Sequence, residues 1–173
     1  MYSIATVRSP GRGDTDLLLA RFAEHATGRG LRVCGTVQIN SERVPAHACD
    51  MDIKVLPDGP VLRISQALGA GSRGCRLDPA ALEQAVAGVE RALQGGADLL
   101  IVNKFGKMEA EGRGLRGVIA EAVARSIPVL VGVNGLNADA LEDFAAGMRQ
   151  PLAPDIAALS AWLDAVQAGR AVA

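Results

Sequence analysis

Aromatic residues are scarce in this 173-residue chain: three Phe, one Trp and one Tyr, 3% of the total. Its core must therefore be filled by Ala, Val, Leu and Ile, which suffices because hydrophobic residues reach 49%. Long apolar runs are lacking as well. No stretch of about eighteen apolar residues offers a membrane span, and Arg8, Arg12, Asp14 and Asp16 interrupt the region where a signal peptide carries its apolar centre. Excess charge of one sign is also missing. Eighteen basic residues face nineteen acidic ones, a formal net charge of -1, which excludes a broad electrostatic surface for nucleic acid and leaves only local basic clusters. Cysteine is limited to Cys34, Cys49 and Cys75, with no C-x-x-C spacing, so neither a disulfide framework nor a structural zinc site is expected. A Cys-His-Asp triad drawn from His47, Cys49, Asp50 and Asp52 would rest on residue types alone. These absences predict a cytoplasmic protein with no direct membrane insertion, no nucleic-acid partner and no bound structural metal.

What the chain does have is alternation. "YSIATV" (2–7) reads as a strand, followed by a Gly- and Pro-rich loop and a helix over 14–28 with Leu18, Phe22 and Ala26 on one face. "LRVCGTV" (31–37) is a second strand. "DIKVLPDGPVLRIS" (52–65) carries Pro-Asp-Gly between two β-prone runs, the turn chemistry of a hairpin. Asp78-Pro79 opens a helix as N-cap and first-turn proline, with Leu82, Val86, Val89 and Leu93 on its apolar face. "ADLLIVN" (97–103) and "PVLVGV" (128–133) are continuous apolar strands of the kind covered on both faces in a parallel sheet. Between them a helix over 112–126 buries Leu115, Ile119, Ala122 and Val123. Two last helices carry Leu141, Phe144 and Met148, and Ile156, Leu159, Leu163 and Val166. The pattern predicts one α/β domain over 1–173, three layers around a mainly parallel sheet, with an inserted β-hairpin.

In open α/β sheets ligands bind outside the carboxyl ends of the strands. Two strand ends stand out. The first, "RSPGRGDT" (8–15), compares with the phosphate-loop pattern G-x-x-x-x-G-K-[ST]: Gly13 and Thr15 match, Arg8 replaces the first glycine and Asp14 replaces the lysine. Gly11, Arg12 and Gly13 keep a flexible backbone ahead of a helix N-terminus. An ordinary βα turn capped by Asp14 or Thr15 is the competing reading. The second strand end is "LLIVNKFGKMEAEGRGLR" (99–116). It resembles the P-loop nucleoside-triphosphatase family first described from thermophiles, in which an apolar strand runs into Asp-Glu, an apolar residue, Gly, Lys, Met and Glu. Here Asn103 and Lys104 stand at the Asp-Glu positions, and Phe105 to Glu109 fit the remainder. More closely, "CDMD" (49–52), "RISQALGAGSRGCRLDP" (63–79) and the 99–116 segment resemble an uncharacterised bacterial domain family related to those enzymes, often encoded beside molybdate ABC transporters. The resemblance implies a three-layer P-loop-NTPase-like α/β fold, and a part in molybdate or tungstate handling with a transporter component as partner.

The substitutions alter the chemistry that this family performs. A working P-loop enzyme uses the lysine on the β- and γ-phosphates and the strand-end Asp on Mg²⁺. Asp14 puts a negative charge where the phosphates belong, Asn103 is a weak ligand for a hard cation, and Lys104 replaces the carboxylate that would orient water. Lys104 is expected either to reach the pocket and pair with Asp14, or to be turned away by strand alternation. Two glycine-rich loops also crowd donors suited to an anion: Arg63, Ser65, Gln66, Arg73, Gly74, Cys75 and Arg76 on one, and Lys107, Glu109, Arg113 and Arg116 on the other. These groups equally suit a solvated rim balanced by Glu109 and Glu111. The sequence therefore favours binding of a small anion, either a nucleotide, with Mg²⁺, that is not efficiently turned over or an oxyanion such as molybdate or tungstate. Two alternatives stay open: an active nucleoside triphosphatase using Lys104 or Lys107, and a non-catalytic protein-interaction module. The apolar C-terminal helix with Trp162 suits either packing on the domain or a homodimer contact.

Overall fold

The computed structural model describes residues 3–39, 51–66 and 76–172. Its elements, in chain order, are β1 (Ile4–Val7), α1 (Asp14–Gly28), β2 (Val33–Ile39), β3 (Asp52–Leu56), β4 (Val61–Arg63), β5 (Ser65–Gln66), β6 (Arg76–Leu77), α2 (Pro79–Gln94), β7 (Leu99–Phe105), α3 (Lys107–Ala110), α4 (Arg116–Ala124), β8 (Val129–Val133), α5 (Ala138–Ala145), β9 (Arg149–Leu152) and α6 (Ile156–Val172). Seven strands form one sheet in the order β4-β3-β2-β7-β8-β1-β9. The five strands from β2 to β9 in that order are parallel, so their carboxyl ends share one edge. The hairpin β3–β4 adds antiparallel strands beyond β2, and β5 pairs with β6 in a separate two-stranded ribbon.

Apolar side chains on the two faces of the sheet build two cores. Leu99, Ile101 and Leu130 point to α1 and α6, where Leu19, Phe22, Leu159 and Leu163 are fully covered. Leu100, Val102 and Val129 point to α2, α4 and α5, against Val89, Leu93, Ile119 and Leu141. Strands buried on both faces cannot alternate polar and apolar residues, which explains the unbroken runs in the sequence. The α2 start follows its sequence signal: the Asp78 carboxylate accepts from the Ala80 and Ala81 N–H groups, and Pro79 occupies the first turn.

The expected helix over 112–126 is shorter, Arg116–Ala124, because Gly112 and Gly114 take left-handed φ angles of 86° and 60° that a helix cannot contain. The apolar face of α1 is centred on Leu19, Phe22, Ala23 and Ala26 rather than on Leu18. Met148, expected on a helix face, lies beyond α5 and is exposed. Strand β9 is an addition that the sequence pattern did not suggest: it is four residues long, contains Pro151 and lies at a sheet edge, where proline is tolerated because only one side needs pairing. Trp162 is buried against the α1 side of its own chain.

Strand β7 carries one irregularity. Val102 pairs with Val131 and Phe105 with Val133, so Asn103 and Lys104 together oppose Gly132. Such a bulge re-aims side chains where a strand meets a site.

Candidate functional site

The loop from β1 to α1 stands where a phosphate cradle was expected. Gly13 takes the left-handed φ of 79° that lets the chain turn into the helix, and α1 begins at Asp14 without a side-chain cap, contrary to the simple βα turn capped by Asp14 or Thr15. The Thr15 hydroxyl instead accepts a hydrogen bond from the Ser9 N–H at 2.8 Å, tying the loop's start to its end. Asp14 folds back on the loop. A Cβ added to Gly11 would lie 2.0 Å from the Asp14 Oδ2, so the carboxylate rests directly on the Gly11 backbone. An anion approaching those amides meets a negative charge already there. Arg8 and Arg12 are exposed on the same loop, and the Arg8 guanidinium lies across Gly135 in the loop after β8.

Strand β8 separates β1 from β7, so the cradle and the end of β7 are not neighbours in the sheet. One side chain that sequence reasoning did not single out spans the gap. Asp16 accepts from the Asn103 Nδ2 at 2.9 Å. Its carboxyl is held above the usual range, chiefly by burial, against the opposing effects of that hydrogen bond and of the Lys104 charge. Asn103 is buried, and its Oδ1 accepts from the Gln38 N–H at 3.0 Å. The side chain standing where a magnesium-binding aspartate is expected is therefore occupied on both ends. The available signal for Asp16 was its place one residue past Thr15, in the first turn of a helix that follows a phosphate-type loop.

Lys104 is exposed at the bulge. No ion pair joins it to Asp14 among the described residues; its charge acts on Asp16 instead.

The loop after β7 is organised by Glu109, which is 4% exposed. Its Oε2 accepts from the Gly106 N–H at 2.9 Å and its Oε1 from the Leu115 N–H at 3.1 Å, so the carboxylate clamps both ends of the segment. Gly114 is required beside it: φ is +60°, and a Cβ there would fall 2.3 Å from the Glu109 Oε1. Glu109 was expected to touch a ligand, but both of its oxygens serve the loop. The rim charges around it are also engaged. Arg113 pairs with Glu111 at 2.6 Å, Lys107 lies 3.8 Å from the same carboxylate, and Arg116 stacks 4.8 Å over the Phe144 ring while donating to the Glu109 carbonyl. Arg63 is held by both oxygens of Asp52. Ser65 accepts from the Met51 N–H, and Gln66 and Arg76 are exposed and face each other across the β5–β6 ribbon. Arg73, Gly74 and Cys75 lie outside the described residues, as do His47, Cys49 and Asp50. Among the described residues no group of three metal-ligating side chains occurs, and no helix is long and apolar enough to cross a membrane.

A cavity of about 460 Å³ opens at the carboxyl ends of β2 and β7. Met51, Ile53, Ile64, Leu77, Leu82 and Leu115 supply apolar walls, while Thr36, Gln38, Asn103, Lys104, Lys107, Asn134 and Asn137 supply polar ones. It collects Asn103, Lys104, Lys107 and Glu109 from the expected ligand set, and none of residues 8–15.

Known proteins extend these observations. The solved structure described as "Crystal Structure of THEP1 from the hyperthermophile Aquifex aeolicus" is similar over 94% of this chain and 95% of that one, with a TM-score of 0.61 and 12% identity. The likeness establishes the fold: a three-layer, P-loop-NTPase-like α/β architecture around a mainly parallel sheet. A curated relative, "Molybdenum import ATP-binding protein ModC 2" of Bradyrhizobium diazoefficiens, is 36% identical over 159 residues. The match takes in 92% of this chain but only 18% of that much longer protein. Residues 4–162 match the family described as "Protein of unknown function (DUF2478)", and the chain belongs to that family.

Proposed function

We propose that this chain binds an anionic small molecule at the carboxyl edge of its sheet and does not efficiently transfer phosphoryl groups. The observation that carries the reading is the state of the three hydrolytic positions. Asp14 has replaced the lysine and lies on the loop's own backbone. Asn103 has replaced the metal-binding aspartate and is bonded to Asp16 and to the Gln38 N–H. Lys104 has replaced the water-orienting carboxylate. Each position contributes electrostatic stabilisation of a phosphoryl-transfer transition state in a working enzyme, and losing even one such group commonly costs about 10²–10³ in rate. What remains is a fold that presents unpaired cations at one edge. Arg8, Arg12 and Lys104 make no ion pair among the described residues.

The fold and the ATP-binding relative support a nucleotide as the anion. That relative's printed name, which speaks of molybdenum import, supports a second reading, in which the chain serves molybdate or tungstate handling beside a transporter component. A thermal-melt panel separates the two: ATP and GTP with and without Mg²⁺, then molybdate, tungstate, sulfate and phosphate. A ligand at about 100 times its Kd adds about 2.7 kcal/mol of stability, which moves the midpoint by several degrees. Nucleotide shifts that do not need Mg²⁺, with no phosphate release, are the expected result. Shifts with molybdate or tungstate but not sulfate favour the second reading. Mg²⁺-dependent phosphate release that disappears in Lys104→Ala would overturn both in favour of an active triphosphatase.

A further inference from the structure

The cavity beside β7 is a site separate from the phosphate loop, and its lining states what it takes. We propose that it binds an organic acid with a flat or apolar body, the acid group received by Lys104 and Lys107 and the body held between the apolar walls. Three observations point to this ligand and away from a bare oxyanion.

The first is size. About 460 Å³ is roughly fifteen times the 30 Å³ share of a water molecule, far more than a tetrahedral oxyanion fills, and within the range of pockets that hold organic ligands. The second is the walls. Ile53, Ile64, Leu77, Leu82 and Leu115 offer no donor to an oxyanion but much surface to an apolar body. The third is charge. Among the described residues Lys104, Lys107 and Glu109 are the charged ones of the lining, and the Glu109 carboxylate is consumed by two backbone N–H groups. Lys107 is 84% exposed and only 3.8 Å from Glu111, an arrangement that holds a solvent-facing lysine weakly and leaves it free to turn to a ligand.

The mouth is equipped in the same sense. Leu136 stands 91% exposed at the rim, an aliphatic side chain in water. On either side of it the Asn134 Oδ1 accepts from both the N–H and the Nδ2 of Asn137, at 3.2 and 3.3 Å. That clasp leaves one amide nitrogen, on Asn134, and one amide oxygen, on Asn137, for a ligand. Leu136 can thus cover the apolar body while the two amides meet polar atoms at its edge.

The test uses the full chain and the fluorescent probe 1-anilinonaphthalene-8-sulfonate, an organic acid with an apolar body. Competitors are adenosine monophosphate, 1-naphthoate and molybdate. One saturable site is expected, displaced by adenosine monophosphate or 1-naphthoate and not by molybdate at equal concentration; which of the two displaces the probe tells a nucleoside phosphate from an apolar carboxylate. Leu136→Asp and Lys107→Glu, both at exposed positions with little folding risk, should each weaken the probe about tenfold with unchanged melting temperature. Unaltered probe binding in both variants, or displacement by molybdate, overturns the proposal. When 1-naphthoate and not adenosine monophosphate displaces the probe, nucleotide melt shifts report the phosphate loop alone and Leu136→Asp should leave them unchanged; when adenosine monophosphate displaces it, Arg12→Glu, outside the cavity, should lower the nucleotide shift and leave probe binding unchanged, so failure here is distinguishable from failure there.

Discussion

Replacing Glu109 by alanine is the sharpest test of how the loop after β7 is held. The side chain is 4% exposed and bonds the N–H groups of Gly106 and Leu115, nine residues apart. Alanine deletes both acceptors and adds none. A buried donor left without a partner costs about 1–3 kcal/mol, and a bond to a charged group lies at the upper end of net hydrogen-bond strength. The Leu115 N–H is buried and pays in full; the Gly106 N–H, half-buried, recovers part of its loss from water. The sum is about 3 kcal/mol. For a chain of this size each kcal/mol moves the midpoint by about 2–4 °C, so Glu109→Ala should melt about 6–12 °C below the parent. Differential scanning calorimetry measures the shift, and urea unfolding with an unchanged m-value shows that the native state stays compact. A variant melting within about 1 °C of the parent would refute the reasoning, because it would mean that water satisfies both amides and the clamp contributes nothing.

Two further outcomes follow from the titrating groups. The Asp16 carboxyl is raised above 3.8 by burial, so its contribution to stability is present in acid and lost as pH rises through its folded value; Asp16→Asn, which keeps an acceptor for Asn103, should raise the urea midpoint at pH 7, with the gain shrinking towards pH 4, and a variant weaker than the parent at pH 7 would contradict this. Burial pushes the Cys34 thiol up to about 11, so in a Cys49→Ser, Cys75→Ser background it should resist a disulfide reagent at pH 8 until the protein unfolds, and full labelling of the native protein within minutes would count against it.

Much of the fold was legible because its strands and helices obey strong local rules. The α1 bounds, the Asp78-Pro79 start and the buried face of α2 all match their sequence signals. Strand β9 was not legible, since four residues with a proline carry no periodicity and only pairing with β1 makes them a strand. The candidate site was less readable. Charge-bearing residue types marked the right loops, but whether a carboxylate faces a ligand or its own backbone depends on geometry that spacing does not encode. Glu109 looks the same in sequence whether it binds or clamps, and Asp16 drew no notice beside Asp14 because its burial comes from a strand that lies some 87 residues away.

The bulge in β7 has a meaning for the parity of that strand. Leu100 and Val102 belong to the α2 side and Leu99 and Ile101 to the α1 side, and strict two-residue alternation would send Lys104 to the α2 core and Phe105 to the opposite one. Phe105 nevertheless packs on the α2 side with Leu100 and Val102. Counted without Lys104, the strand keeps perfect phase from its first residue to its last. The lysine is in effect an inserted letter that the sheet absorbs without disturbing the words on either side. Removing it outright should therefore leave the pairing of the strand intact, and a chain shortened by that single position would separate what the sheet needs from what the site uses.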